Sequence, residues 1–120
     1  MILDFAGVAE RTVDWASLET VLVPGATGSA HMRCCPAAGV QIRVVDYGPG
    51  YLADHWCAKG HILYVVTGEL AIEHEDGAPT HLLTAGMTWC LADKQPPAHR
   101  VRSERGATVF IIDSLHSATG

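Results

Sequence analysis

His55, Cys57 and His61 fall within seven residues, in the stretch GYLADHWCAKGHILYVVTGEL that runs from Gly50 to Leu70. Side chains on a strand alternate with period two, so His-x-Cys sets an imidazole and a thiol on one face. His61 follows after the short break Ala58-Lys59-Gly60. Imidazole and thiolate are the usual protein ligands of transition metals, and the pattern predicts a metal held on a β scaffold.

Such a set needs strands to hold it, and the chain supplies them as short apolar runs between turn signals. Val40 to Tyr47 is rich in β-branched residues and stops at Gly48-Pro49-Gly50. Tyr51 to Ala58 and His61 to Thr67 read as two further strands. Glu69 to Glu75 and Thr80 to Leu83 flank Asp76-Gly77, a hairpin signal. Met87 to Ala92, Ala98 to Ser103 and Ala107 to Asp113 complete the series, with Gln95-Pro96-Pro97 as a break. One strand every ten or so residues predicts an all-β sandwich or barrel. The segment 1–30 reads as an irregular extension: one helical turn over Asp14 to Thr20 with Asp14 as N-cap, then an extended loop over Leu22 to Gly28. The barrel is expected over 31–116, and Ser117 to Gly120 should be loose.

Parity sorts the side chains further. His61, Leu63 and Val65 share one face, and Ile62, Tyr64 and Val66 the other. With both faces apolar, this strand suits a wall covered outside by another sheet or a partner subunit. Asp54 falls on the face opposite His55 and is expected to bond a neighbouring loop. Arg43 interrupts an apolar strand and reads either as an anchor for an anionic ligand or as a side chain snorkelling at a subunit interface. Arg43, Tyr47 and Tyr51 are the remaining acid–base candidates, while Trp56, Trp89, Tyr47 and Tyr64 read as core or dimer contacts. Cys34, Cys35 and Cys90 are expected as packed thiols, and His74 and His81 as solvent-exposed residues beside the hairpin.

At 120 residues, with 48% hydrophobic and 18% charged residues, the composition is that of one globular domain. A net charge of −5 argues against nucleic acid or an anionic membrane as the main partner. Arg100, Arg102 and Arg105 are interrupted by Glu104 and read as a solvated strand edge. No apolar run is long enough to span a membrane, and MILDFAGVAERTVDW lacks a basic n-region. A cytoplasmic location is therefore expected. The adjacent Cys34-Cys35 pair has poor geometry for a disulfide.

Taken in order, Gly50, His55-Trp56-Cys57, His61 and Gly68 resemble the first motif of the cupin superfamily: a Gly, His-x-His, a Glu and a Gly at matching intervals. Gly86, Pro96-Pro97, His99 and Ser103 resemble its second motif. The stretch YLADHWC-KGHILYV and the downstream Ala98-His99-Arg100 are similar to the small bacterial single-domain proteins with a DHCW motif and a cupin fold. The resemblance runs from Arg43 to Asp113. It implies a jelly-roll barrel (a double-stranded β-helix) with metal ligands at His55, Cys57, His61 and His99. It also implies a small-molecule ligand in the barrel and a homodimer whose N-terminal strands add to the partner's sheet. Cys57 stands where the superfamily has a second His, and His61 where it has a Glu. The turn before His99 is Pro-Pro rather than Pro-x-Gly. The residues read by themselves agree, because His99 opens a strand just after a break, where a barrel mouth would lie.

Three imidazoles and a thiolate favour borderline or soft divalent ions. Zinc is the first expectation, because a closed tetrahedron of this kind is a common structural zinc site. Iron is the second, because three His without Cys57 leave the open positions of a three-His iron centre, as in the thiol dioxygenases of the superfamily. Two functions follow: a metal-dependent enzyme such as a dioxygenase or isomerase, or a non-catalytic binding or sensing module with a structural metal.

Overall fold

A computed structural model of the chain describes residues 5–94 and 96–114. The described residues form nine strands: β1 (Val21–Pro24), β2 (Ser29–Ala37), β3 (Val40–Tyr47), β4 (Tyr51–Leu52), β5 (His61–His74), β6 (His81–Thr84), β7 (Thr88–Leu91), β8 (His99–Ser103) and β9 (Ala107–Ser114). Along the main path they pair in the order β1-β2-β3-β9-β5-β8-β4, with β6 and β7 also on β5. Every pairing is antiparallel. The result is an all-β sheet curled into a half-barrel.

β5 causes the curl. Its first part, His61 to Tyr64, lies between β9 and β7, and its later part, Ala71 and Ile72, lies between β6 and β8. The register against β9 slips between Val65 and Thr67, a bulge that bends the strand and increases its twist. Gly68 sits at φ +81° just after the slip, and a Cβ there would strike the carbonyl oxygen of Gly106. Only glycine meets both demands. The two strands expected over His61 to Thr67 and Glu69 to Glu75 are thus one strand, bent rather than broken.

The core is the inner face of this half-barrel: Val45 and Tyr47 of β3, Leu63, Val65, Leu70 and Ile72 of β5, and Val109 and Ile111 of β9. The expected parity of β5 is observed, with His61, Leu63 and Val65 buried while Tyr64 and Val66 are 45% and 46% exposed. The outer face of β9 is partly covered, since Trp15 packs edge-on against Phe110.

Several expected elements are corrected. Tyr51 to Ala58 is not one strand: pairing stops at Leu52, and only Cys57 rejoins the sheet, through an isolated bridge to His99. The expected loop over Leu22 to Gly28 begins as β1, whose residues Val21 to Pro24 pair with β2. β2 itself has no counterpart in the sequence reading. The helical turn is a 3-10 turn over Trp15–Ser17, shorter than expected, and Asp14 caps it by accepting from the Ala16 N–H at 3.2 Å. The Asp76-Gly77 hairpin is observed between β5 and β6. Ser117 to Gly120 lies outside the described residues. No described helix is long and apolar enough to cross a membrane.

Candidate metal centre

Three donor-bearing side chains converge at one end of the inner face. Sulfur or nitrogen atoms of Cys57, His61 and His99 all lie within 4.8 Å of one another. His61 is the first residue of β5 and His99 the first of β8. Cys57 reaches them because its backbone is pinned to His99 in both directions: its N–H donates to the His99 carbonyl at 2.7 Å and its carbonyl accepts the His99 N–H at 2.9 Å. The His61 and His99 rings stand edge to face with centroids 5.1 Å apart. His61 is 7% exposed and His99 is 2% exposed.

The cluster has a charged support behind it. Antiparallel pairing sets His61 directly opposite Asp113, and the inward parity of β9 gives them one face. His61 Nδ1 and Asp113 Oδ1 are 2.6 Å apart, so Nδ1 carries the proton donated to the carboxylate and Nε2 is left facing Cys57 Sγ at 3.7 Å. Asp113 is also held by Arg43, through Nε at 2.7 Å and Nη2 at 3.1 Å, and by the Gln41 amide at 3.2 Å. Arg43 is one diagonal position away across the β3–β9 ladder, since its own partner is Ile111, within reach of a long side chain. Neither expected role for Arg43 describes its observed contact: its partner is a buried carboxylate of its own chain.

These contacts set the protonation of the site. Burial by itself would raise the Asp113 carboxyl, yet the His61 hydrogen bond and the Arg43 charge bring it down to about 2. Burial also opposes the Cys57 thiolate, but bonds from His61 and His99 and from the Lys59 N–H at 3.4 Å lower its pKa to about 5. Burial disfavours a charged His61, and Asp113 and Cys57 outweigh it, so the His61 pKa lies above the usual imidazole value. Asp113 has a folded pKa below its unfolded one, so its stabilisation is complete above the ordinary carboxyl range and is lost as pH falls through the folded value. The urea midpoint of the metal-free protein should therefore drop between about pH 4 and pH 2 by a larger amount than in Asp113→Asn. Equal drops in the two proteins would contradict this role.

The donor set fits a metal. Zinc bonds of about 2.3 Å to sulfur and 2.0 Å to nitrogen, in a tetrahedron, separate the donors by about 3.5 Å, close to the 3.7 Å between Cys57 Sγ and His61 Nε2. A histidine whose second nitrogen donates to a carboxylate is the usual support of a metal ligand.

His55, expected as a fourth ligand, is not in the cluster. Its side chain is 78% exposed and its Nδ1 lies 2.6 Å from Asp54 Oδ1. Residues 54 and 55 form a bend, so the strand parity that turned Asp54 away from His55 does not apply there. His55 does line the same cavity as Cys57, His61 and His99. Other expectations also shift. His74 is half-buried, with a buried Nδ1 that lacks a hydrogen-bond partner, while His81 is exposed as expected. Cys90 is exposed rather than packed, and all four cysteines are free. Arg100 and Arg102 clasp Glu73 at 2.9 and 2.6 Å, and Arg100 lies 4.4 Å over the Trp56 ring. Ser103, at the second-motif position, ties a turn together: it donates to the Glu69 carbonyl at 2.6 Å and accepts from the Gly106 N–H at 3.0 Å.

No family model and no curated protein matches this chain. Solved structures do. A predicted oxalate decarboxylase from Thermotoga maritima superposes with a TM-score of 0.71 at 12% identity, covering 88% of this chain and 99% of the other. An RmlC-like cupin from Shewanella frigidimarina gives 0.68 at 17% identity, over 92% and 96% of the two chains. A cupin-like protein from Thermotoga maritima gives 0.63 at 22% identity, over 78% and 74%. At these identities the likeness is one of fold.

Proposed function

We propose that this cupin-fold chain holds one divalent transition metal through Cys57, His61 and His99, and that the metal acts on, or binds, a small molecule in the barrel cavity. The observation that carries this reading is the convergence of the three donors on the wall of that cavity. Three protein ligands are the number found at catalytic zinc sites, where a fourth position stays open for water or substrate. Zinc is the first choice of metal and iron the second. When bound, such an ion polarises a substrate oxygen or lowers the pKa of a coordinated water. The chain's own part is positional. Asp113 fixes the His61 tautomer, Arg43 fixes Asp113, and Leu63 and Ile111 keep the neighbouring cavity wall apolar. Isomerisation is the reaction class we favour with zinc, and dioxygenation the one with redox-active iron. Within the fold, the resemblance over YLADHWC-KGHILYV supports the DHCW-motif group.

A second reading is a non-catalytic binding or sensing module with a closed structural metal. It is favoured by His55, which lines the same cavity and would close a four-ligand set. The visible spectrum of the cobalt-substituted protein separates the two. We expect it to change on adding azide and to be indifferent to His55→Ala. A tetrahedral spectrum that ignores azide and collapses in His55→Ala would replace the catalytic reading with the structural one.

We also propose a homodimer in a reducing, cytoplasmic setting, which suits four free thiols. β1 ends the strand order, with Val21 and Leu22 56% and 58% exposed, which suits addition of a partner strand. Light scattering at micromolar concentration should give twice the chain mass; the mass of one chain would refute the dimer.

A further inference from the structure

We propose that the ligand of the cavity is a small monocarboxylate, whose carboxylate accepts hydrogen bonds from the hydroxyls of Tyr47 and Tyr51 beside the metal centre. This rests on the metal reading above and names the substrate class of the same site.

The cavity measures about 170 Å³, which limits it to a small molecule. Val23, Ala53, Leu63, Val101 and Ile111 give it an apolar wall, broken by the metal cluster and by Arg43, Tyr47 and Tyr51. The two tyrosine rings lie side by side, with centroids 5.0 Å apart and planes at 51°. Tyr47 is 8% exposed and Tyr51 is 6% exposed. A buried tyrosine hydroxyl normally has a partner. Neither hydroxyl has a hydrogen-bond partner among the described residues, and neither is sealed off, since the buried unpartnered side-chain atoms are His74 Nδ1 and His99 Nδ1. Both tyrosines line the cavity, so a ligand held there can accept from both hydroxyls.

The charge of that acceptor follows from the groups around it. Arg43 and Asp113 neutralise each other, and Arg100, which also lines the cavity, is balanced together with Arg102 by Glu73 and Glu104. A divalent ion on one thiolate and two neutral imidazoles leaves a single positive charge uncompensated, which matches a monoanion better than a neutral molecule or a dianion. Arg43 spends Nε and Nη2 on Asp113, while its Nη1 meets only the Met32 thioether at 3.6 Å. An Arg43 N–H is therefore still available at the cavity that Arg43 lines. A carboxylate offers two oxygens to two neighbouring hydroxyls, a match that a primary amide makes with only one.

The test is calorimetric titration of the zinc-loaded full chain with butyrate, butyramide and succinate. Butyrate should bind at least about tenfold tighter than either of the others. Tyr47→Phe and Tyr51→Phe, which keep the ring and its packing, should each weaken butyrate about tenfold while leaving the zinc stoichiometry as it was, and at least one of them should leave the butyramide affinity unchanged, since the amide oxygen accepts from one hydroxyl only. Equal binding of butyrate and butyramide, failure of all three to bind, or butyrate affinity unchanged in both Phe variants would overturn the proposal; two ordered waters would then be the partners of the hydroxyls. The metal reading fails separately. A chain that takes up no zinc but still prefers butyrate through Tyr47 and Tyr51 would remove the metal and keep the carboxylate site.

Discussion

Asp113→Ala should destabilise the folded chain by about 3–5 kcal/mol, the usual cost of removing one partner of a buried ion pair. Asp113 is 2% exposed and is shared by Arg43, His61 and Gln41. Without it the Arg43 guanidinium, whose side chain is 21% exposed, keeps its charge with no counter-ion at hand. The same substitution frees the His61 ring from the tautomer that presents Nε2 to Cys57. Loss of such a support typically weakens metal binding by about 10- to 100-fold. Urea unfolding reads the first effect and competition with a coloured chelator reads the second. A companion variant, Arg43→Met, separates them: it should lower stability less, because Asp113 keeps His61 and Gln41 as partners, and metal affinity should fall less than in Asp113→Ala. A fully stable Asp113→Ala protein with unchanged metal affinity would show that the Arg43–Asp113–His61 chain supports nothing.

The second large effect is expected at the donors. Cys57→Ala and His61→Ala should each abolish tight metal uptake, since each leaves two donors where three converge. The two variants differ in stability. Cys57 is bound to His99 through its backbone, and those bonds survive the substitution, so Cys57→Ala should fold almost as well as the metal-free parent. His61→Ala leaves a cavity at a 7% exposed site and strips Asp113 of a partner, and should cost about 2 kcal/mol or more. Metal-to-protein ratios and unfolding curves on the same samples check both statements. Full metal occupancy in Cys57→Ala would remove the thiolate from the ligand set.

Much of this was legible in the sequence, and what was missed has a physical pattern. Strand positions from Val40 onward follow from β-branched runs and turn residues, because both are local signals. The long β5 was split in the reading because Gly68 looks like a turn; it is a bulge, and a bulge is decided by the neighbouring strand. Three of the four expected donors come together because His61 and His99 open β5 and β8 and Cys57 is bridged to His99. His55 was placed by applying period two through a segment that bends after Leu52. Asp113 was missed, although a signal was present: Val109, Ile111 and Asp113 have the same parity, so an acid stands on the buried face of the last strand. Its partner Arg43 lies 70 positions away, and no local pattern joins the two. β2 went unread because Met32 to Pro36 mixes Arg33, two cysteines and a proline, and only its pairing with β3 makes it a strand.

The central claim is that Cys57, His61 and His99 form one metal centre. Elemental mass spectrometry of the protein, purified without chelators, tests it most directly when the three alanine variants are run beside the parent. Close to one equivalent of a single transition metal, zinc before iron, is expected in the parent and nearly none in each variant. Less than about a tenth of an equivalent of any transition metal in the parent, or equal metal in parent and variants, would contradict it.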